Sequence, residues 1–390
     1  MHFFHLLCSS VFIFFVLYAP QPLLPLFSNT FNVSPAAAGS LMTATMIPLA
    51  IAPLFYGFLF QKLNTLKILK NTMMLLAITC IIFPFIKTFE LLLFCRVLQG
   101  LLLPAALTAM TSHIGQTYQN DQLQKNMTIY IGSTILGGFF GRLLAASFTE
   151  FFNWQSFYYL IAISLLSLAI FIKINIKGHI PTKNKTQNKA TPSILSGIKN
   201  LKQPGLFKVY SAIFCMFFCF TAVLNYLPFI LKNDFNMQNT ANIGLVYIGY
   251  LFGAIASLLT PFLVKRFQIP FKLLSIIFII YCSAIILMVP NQFPVFFTAF
   301  SLFCGAMFII HSISAPLVNK ISQAPASVTN GVYVSFYYSG GALGSFLPGL
   351  VYQSHGKTAF LMVILLVCIF GLGLVYSGYL KSNKQLLDYE

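Results

Sequence analysis

Apolar runs about twenty residues long recur along the whole chain, and short polar breaks separate them. The stretch "SAIFCMFFCFTAVLNYLPFILK" (211–232) carries no charge before its final lysine. A helix rises about 1.5 Å per residue, so ~20 apolar residues cross the hydrocarbon core of a bilayer. No water is available there to bond the backbone, so each run must be a helix. Only 7% of the 390 residues are charged, against about 25% in a soluble domain. Spans are expected at 3–27, 39–60, 68–86, 91–112, 127–148, 155–174, 206–231, 241–264, 271–289, 294–316, 330–353 and 358–380. The first run has no basic segment ahead of it and continues through "YAPQPLLPLF", so it reads as a helix rather than a secretory signal. The expected fold class is an all-α membrane protein of twelve transmembrane helices.

The net charge of +17 does not point to nucleic acid. With the N-terminus in the cytoplasm, 18 of the 23 Lys and Arg fall in or beside cytoplasmic loops, and the other side receives only Lys87, Lys232 and Lys357. This positive-inside asymmetry places both termini in the cytoplasm. The remaining two, Arg96 and Arg142, lie within spans. All eight Cys also fall within spans, without metal-ligand or disulfide spacing. No metal and no cofactor is expected, and the bilayer itself is the one macroscopic partner of a monomeric chain.

The halves repeat at an offset near 204. "YGFLFQKLN" (56–64) corresponds to "TPFLVKRFQ" (260–268), and "YIGSTILGGFFGRL" (130–143) to "YVSFYYSGGALGSF" (333–346). Gly137, Gly138 and Gly141 thereby meet Gly340, Gly341 and Gly344. The expected organisation is a six-helix bundle over 1–174, a basic linker over 175–205 and a second bundle over 206–390, a parallel-repeat plan used by transporters.

The chain resembles the major facilitator superfamily over its whole length. Its nearest likeness is to bacterial twelve-helix drug:proton antiporters of the arabinose-efflux-permease type. "RVLQGLLLPAAL" (96–107) is similar to the span-four R-x-x-Q-G motif through Arg96, Gln99 and Gly100. "GGFFGR" (137–142) is similar to the span-five motif G-P-x-x-G-G through Gly137 and Gly141, with Gly138 for Pro and Arg142 for the last Gly. "GFLFQKLNTLK" (57–67) occupies the place of the loop motif G-x-x-x-D-R-x-G-R-K. It keeps Gly57 and the basic Lys62, with Gln61 for the Asp that the family uses in a gating charge relay.

A charged side chain at the centre of a bilayer helix costs at least ~2.5–3.5 kcal/mol and is usually functional. Arg96 and Arg142 lie about 8–9 Å below the same helix ends on neighbouring spans, counting ~1.5 Å per residue. Two readings of them stay open. One is an Arg–Glu network with Glu90 or Glu150, or a snorkelling side chain. The other is recognition of an anionic group by the planar guanidinium fork. Further candidates for substrate contact are Gln99, one turn from Arg96, Gln21 in "YAPQPLLP", Asn225 and Tyr226 ahead of Pro228, and Thr134 and Tyr337. On span five, Ser133, Gly137 and Gly141 form a packing stripe, while Thr134, Gly138 and Arg142 form the polar stripe beside it. Tyr247, Tyr250, Tyr337 and Tyr338 are candidates for an aromatic wall. No acid lies in a span core, so Glu90, Glu150 and His311 are the candidates for proton coupling.

The resemblance implies a secondary transporter of the bacterial inner membrane. It would move a small organic solute, anionic or amphipathic, by alternating access and proton-coupled export. A uniporter or an importer of an anionic metabolite stays open beside it. An enzyme or a channel is the rival from another class. The six acids and six His show no clustering, and no phosphate loop or filter motif is present.

Overall fold

The structure is a computed structural model that describes residues 2–59, 64–176, 203 and 205–387. Every described element is helical. The spans are α1 (Phe3–Thr30), α2 (Pro35–Tyr56), α3 (Thr65–Phe85), α4 (Phe89–Thr117), α5 (Asn120–Phe151), α6 (Trp154–Ile172), α7 (Leu206–Asn233), α8 (Thr240–Phe267), α9 (Pro270–Leu287) and α10 (Phe293–Ile321). An eleventh run, Ala326–Leu380, follows. Its 55 residues would measure ~80 Å if straight, far more than one bilayer crossing.

That run is two spans. Gly356 has φ +73°, in the left-handed region that a side chain resists, and it divides α11 (326–355) from α12 (358–380). The packing against α7 shows the reversal. Along α11, Gly340 lies against Phe214 and Gly344 against Phe218, and Asn233 then reaches the Tyr352 hydroxyl at 3.2 Å. Along α12 the order inverts, with Cys219 against the Ile364 carbonyl and Gly371 against Cys215. The described residues thus make twelve crossings, so their first and last helices end on one face, here called the terminal face. The opposite, distal face carries the turns at 31–34, 152–153, 234–239 and 356–357.

Proline sets the local breaks. The first helix stops at Tyr18, a single 3-10 turn covers Gln21–Leu23, and the helix resumes at Leu24–Thr30. Pro20 has no N–H to bond the carbonyl of Val16, and Pro22 and Pro25 fit first-turn positions. At the start of α2, the Ser34 hydroxyl accepts from the Ala37 N–H at 3.2 Å and caps the helix. Spans α4 and α5 run further toward the terminal face than the apolar pattern suggests, to Thr117 and from Asn120. The apolar run measures only what lies in lipid, whereas the backbone ladder continues past it.

The first six and last six helices meet along three seams, α1 with α7, α2 with α11, and α5 with α8. On α2–α11, Thr43 donates to the Ala342 carbonyl (2.7 Å) and Ser335 to the Ala50 carbonyl (2.7 Å). On α5–α8, a Cβ built on Gly244 would stand 2.6 Å from that of Ala146. Of the expected linker 175–205, residues 177–202 and 204 lie outside the described residues, as do Gln61 and Lys62 of the loop motif. Gly57 lies in the helical stretch Pro53–Leu59.

Candidate functional site

The two intramembrane arginines, matched in depth, face different surroundings. Arg96 is fully buried inside the first six helices. Its Nε donates to the Leu41 carbonyl (3.2 Å), its Nη1 to the Val16 carbonyl (2.8 Å) and Gln99 Oε1 (2.7 Å), and its Nη2 to the Leu17 carbonyl (3.0 Å) and Met42 Sδ (3.9 Å). A guanidinium has five N–H donors, so none is left for a ligand. Val16 is the residue whose carbonyl Pro20 leaves without a helical partner, and Arg96 satisfies it. Gln99 is held likewise, accepting from Arg96 and donating to Thr79 Oγ1 at 3.2 Å. Gly100 lets α4 approach α2, since a Cβ there would lie 2.6 Å from the Thr45 carbonyl. In this structure the expected substrate contacts Arg96 and Gln99 are turned to protein partners. Arg96 braces the proline break of α1 and Gln99 braces Arg96.

Arg142 stands at the boundary between the halves, 1% exposed. Its Nε donates to Gln21 Oε1 (2.5 Å) and its Nη1 to the Gly138 carbonyl (2.5 Å). The guanidinium carbon lies 4.0 Å from the Tyr18 ring centre, 4.9 Å from Tyr250 and 5.5 Å from Tyr247, within cation–π range. Gln21 passes the bonding on, its Nε2 donating to Asn225 Oδ1. These two residues are 204 apart, the offset of the repeat, so equivalent positions of the two halves bond each other across the pseudo-twofold axis. Tyr247 donates to the Leu224 carbonyl at 3.0 Å, the group that Pro228 deprives of its helical partner. Asn225 Nδ2 is buried and has no partner.

The glycines divide as two faces. Gly137 and Gly141 lie against α1 at Val11, Phe14 and Phe15, and Gly340 and Gly344 lie against the matching α7. Gly138 faces the Tyr250 hydroxyl of the other half, whereas Gly341 lies against the Phe217 ring of its own half, with Met46 of the other half just beyond. Thr134 is two turns from Arg142 toward the terminal face. It is half-buried and donates to the Ile131 carbonyl.

Toward the terminal face the wall becomes aromatic and more open. Tyr337 and Tyr338 are half-buried, with Tyr337 stacked on Phe217 at 3.5 Å and edge-on to Tyr338 at 5.1 Å. His311, also half-buried, shares a hydrogen bond with the Tyr333 hydroxyl at 2.8 Å and lies 5.2 Å from the Tyr337 ring. Toward the distal face a tyrosine bridges the same boundary. The buried Tyr226 hydroxyl lies 3.3 Å from the Ser345 carbonyl and 3.5 Å from that of Pro35, which joins α7 to α11 and α2.

The expected pairing of Glu90 or Glu150 with an intramembrane arginine is not made. Glu90 is exposed at the distal end of α4. Glu150 instead accepts from Asn239 Nδ2 (3.0 Å) and from the Thr240 backbone N–H (2.8 Å). It thus fastens the end of α5 to the start of α8, where a helix N-terminus favours a negative group. Among the described residues no ion pair reaches either arginine. Sequence reasoning missed Tyr18, Asn239 and Thr240. Tyr18, three residues before Gln21, carried the clearest signal, being a polar aromatic at the same helix break.

Residues 6–347 match the family model of the Major Facilitator Superfamily. An uncharacterized MFS-type transporter of Bacillus subtilis (strain 168), YybF, is 25% identical over 380 residues, which is 96% of this chain and 92% of that protein. Inner membrane transport protein YnfM of Escherichia coli (strain K12) is 23% identical, covering 91% of this chain and 86% of its own. Among solved structures, a bacterial homolog of the human lysosomal transporter Spinster, in an inward-facing and occupied conformation, matches with a TM-score of 0.79. Its identity is 12%, and the match covers 97% of this chain and 96% of the other.

Proposed function

The chain belongs to the Major Facilitator Superfamily, and on that premise we propose that it exports an organic anion with an apolar body across a bacterial inner membrane, by proton-coupled alternating access. It is a multi-pass secondary transporter of small solutes. The finer reading rests on Arg142. Arg142 is a cation buried at the boundary of the halves, and among the described residues neutral amides, carbonyls and tyrosines surround it with no acidic side chain paired to it. Arg96 is buried too, but it spends its donors on protein acceptors inside one bundle, whereas Arg142 stands between the bundles, where a buried charge points to function, and the fork of a guanidinium suits a carboxylate or phosphate.

The substrate enters from the terminal face along Thr134, Tyr337 and Tyr338, and its charged end reaches Arg142. The two bundles then rock about this point. The distal contacts at Glu150 and Tyr226 open in the outward state. His311 beside Tyr333 is the titratable group on the path and carries the proton. A second reading, uniport, is supported by the lack of any acid in a span core. Substrate counterflow in proteoliposomes tests the proposal, with matched anionic, neutral and cationic solutes as competitors. Competition by the anions alone, strengthened by an imposed pH gradient, is the expected result. Equal competition by all three overturns the anion reading, and indifference to the gradient selects uniport.

A further inference from the structure

We propose that Gln21 is a built-in placeholder for the anionic group of the substrate, which displaces it and bridges Arg142 of one half to Asn225 of the other. This rests on Arg142 being the anion site. Arginine can only donate, so the oxygen of the Gln21 amide must face Arg142 Nε, and it does so at 2.5 Å. The Gln21 amide nitrogen then has to point away, and it donates to Asn225 Oδ1. That in turn leaves the Asn225 amide nitrogen as the outer end of the chain, fully buried and without an acceptor. A relay that begins on a donor-only cation ends on a donor, so the network is short of one acceptor.

A carboxylate corrects this shortage. One of its oxygens takes the place of Gln21 Oε1 on Arg142, and the other accepts from Asn225 Nδ2 once the Asn225 amide turns over, since Oδ1 is the atom that faces Gln21 beforehand. The planar amide of Gln21 already imitates half of that group. Its backbone sits in the 3-10 turn between Pro20 and Pro22, where the helical ladder is already broken, so the side chain can turn aside without melting a helix. The single unmatched charge selects a monoanion, and the rings of Tyr18, Tyr250 and Tyr337 select an apolar or aromatic remainder. Because positions 21 and 225 are equivalent in the repeat, a ligand held between Arg142 and Asn225 ties the halves at their axis. Binding and closure thereby become one event.

The test uses the purified full chain in detergent, titrated calorimetrically with benzoate and with its neutral isostere benzamide. A hydrogen bond to a charged partner that must be broken before the ligand binds weakens apparent affinity by roughly tenfold. Gln21→Ala is expected to bind benzoate about tenfold more tightly than the wild type, with benzamide unchanged. Gln21→Glu is expected to abolish benzoate binding and raise the melting temperature, since it tethers the anion in place. Should Gln21→Ala fail to fold, Gln21→Asn, one methylene too short to reach Arg142, takes its place. Benzoate affinity that is unchanged, weaker or undetectable in the Ala or Asn variant overturns the placeholder, as does an equal gain for benzamide. Arg142→Ser separates the two ideas. If it abolishes benzoate binding while Gln21→Ala gains nothing, only the placeholder fails. If it binds benzoate as the wild type does, the anion reading fails as well.

Discussion

Adding one methyl group at Gly138 probes the site more selectively than removing a charge. A Cβ there would stand 3.1 Å from the Tyr250 hydroxyl, 3.3 Å from Arg142 Nη1 and 3.6 Å from Tyr18 Cδ2. Comfortable contact lies near 3.5 Å or beyond, so Tyr250 must retreat by ~0.4 Å and Arg142 by ~0.2 Å. Both are side-chain ends and can yield. The cost falls on the Arg142–Gly138 hydrogen bond and on the aim of the guanidinium. Losing half of a charge-assisted bond worth ~1.5–3 kcal/mol slows transport by roughly four- to twelvefold. Alanine meanwhile favours the helix by up to ~1 kcal/mol, so stability changes little. Gly137→Ala is the contrast. Its Cβ would meet Val11 Cα, the Val11 carbonyl and Phe14 Cβ, all at 2.9 Å. Two of these are backbone, so α1 and α5 must separate, and overpacking costs ~1–3 kcal/mol. The assay is initial-rate counterflow per folded molecule, beside thermal unfolding in detergent. Gly138→Ala should be stable and slow, and Gly137→Ala unstable. A Gly138→Ala variant with wild-type rates would refute the placement of Arg142 and Tyr250 in the transport path.

Other consequences are as direct. Arg96→Lys replaces five donors with three on a shorter reach, leaving at least one of four oxygen acceptors, the Val16, Leu17 and Leu41 carbonyls and Gln99 Oε1, unmet. A loss of ~1–3 kcal/mol in stability is expected, with substrate affinity per folded molecule unchanged, and a shifted affinity contradicts the bracing role. Glu150→Gln weakens the fastening of α5 to α8. In a cysteine-free background, Ala146→Cys, buried against Gly244, should then react several-fold faster with an impermeant maleimide added from the distal side, and no change in rate contradicts the latch.

Much of the fold was legible because bilayer crossing imposes a length and a composition that a chain cannot hide. The repeat offset was legible too, and it placed Gln21 and Asn225 at equivalent positions before any geometry was known. What the sequence withheld was direction around each helix axis. Spans that are apolar on every side do not say which face looks inward, so Arg96 and Arg142 read alike although one is sealed in a bundle and the other stands between bundles. Pro20 held the missing signal, since it frees a carbonyl four residues earlier that some donor must satisfy. The role of Glu150 was out of reach for a different reason. Its partners Asn239 and Thr240 are some 90 residues away, and no local pattern joins the end of one helix to the start of another across a bundle boundary. The twelfth span was visible as an apolar run, and Gly356 supplied the physical break.

The account depends most on Arg142, and two substitutions measured together test it. Arg142→Ser copies Ser345, its counterpart in the repeat, and removes a buried charge, so normal insertion and unchanged unfolding are expected, with counterflow of the anionic substrate lost. Arg142→Lys keeps the charge without the planar fork and should lose most of the transport. If Arg142→Ser instead transports as the wild type does while unfolding at a lower temperature, the arginine is a structural clamp and the anion site is elsewhere.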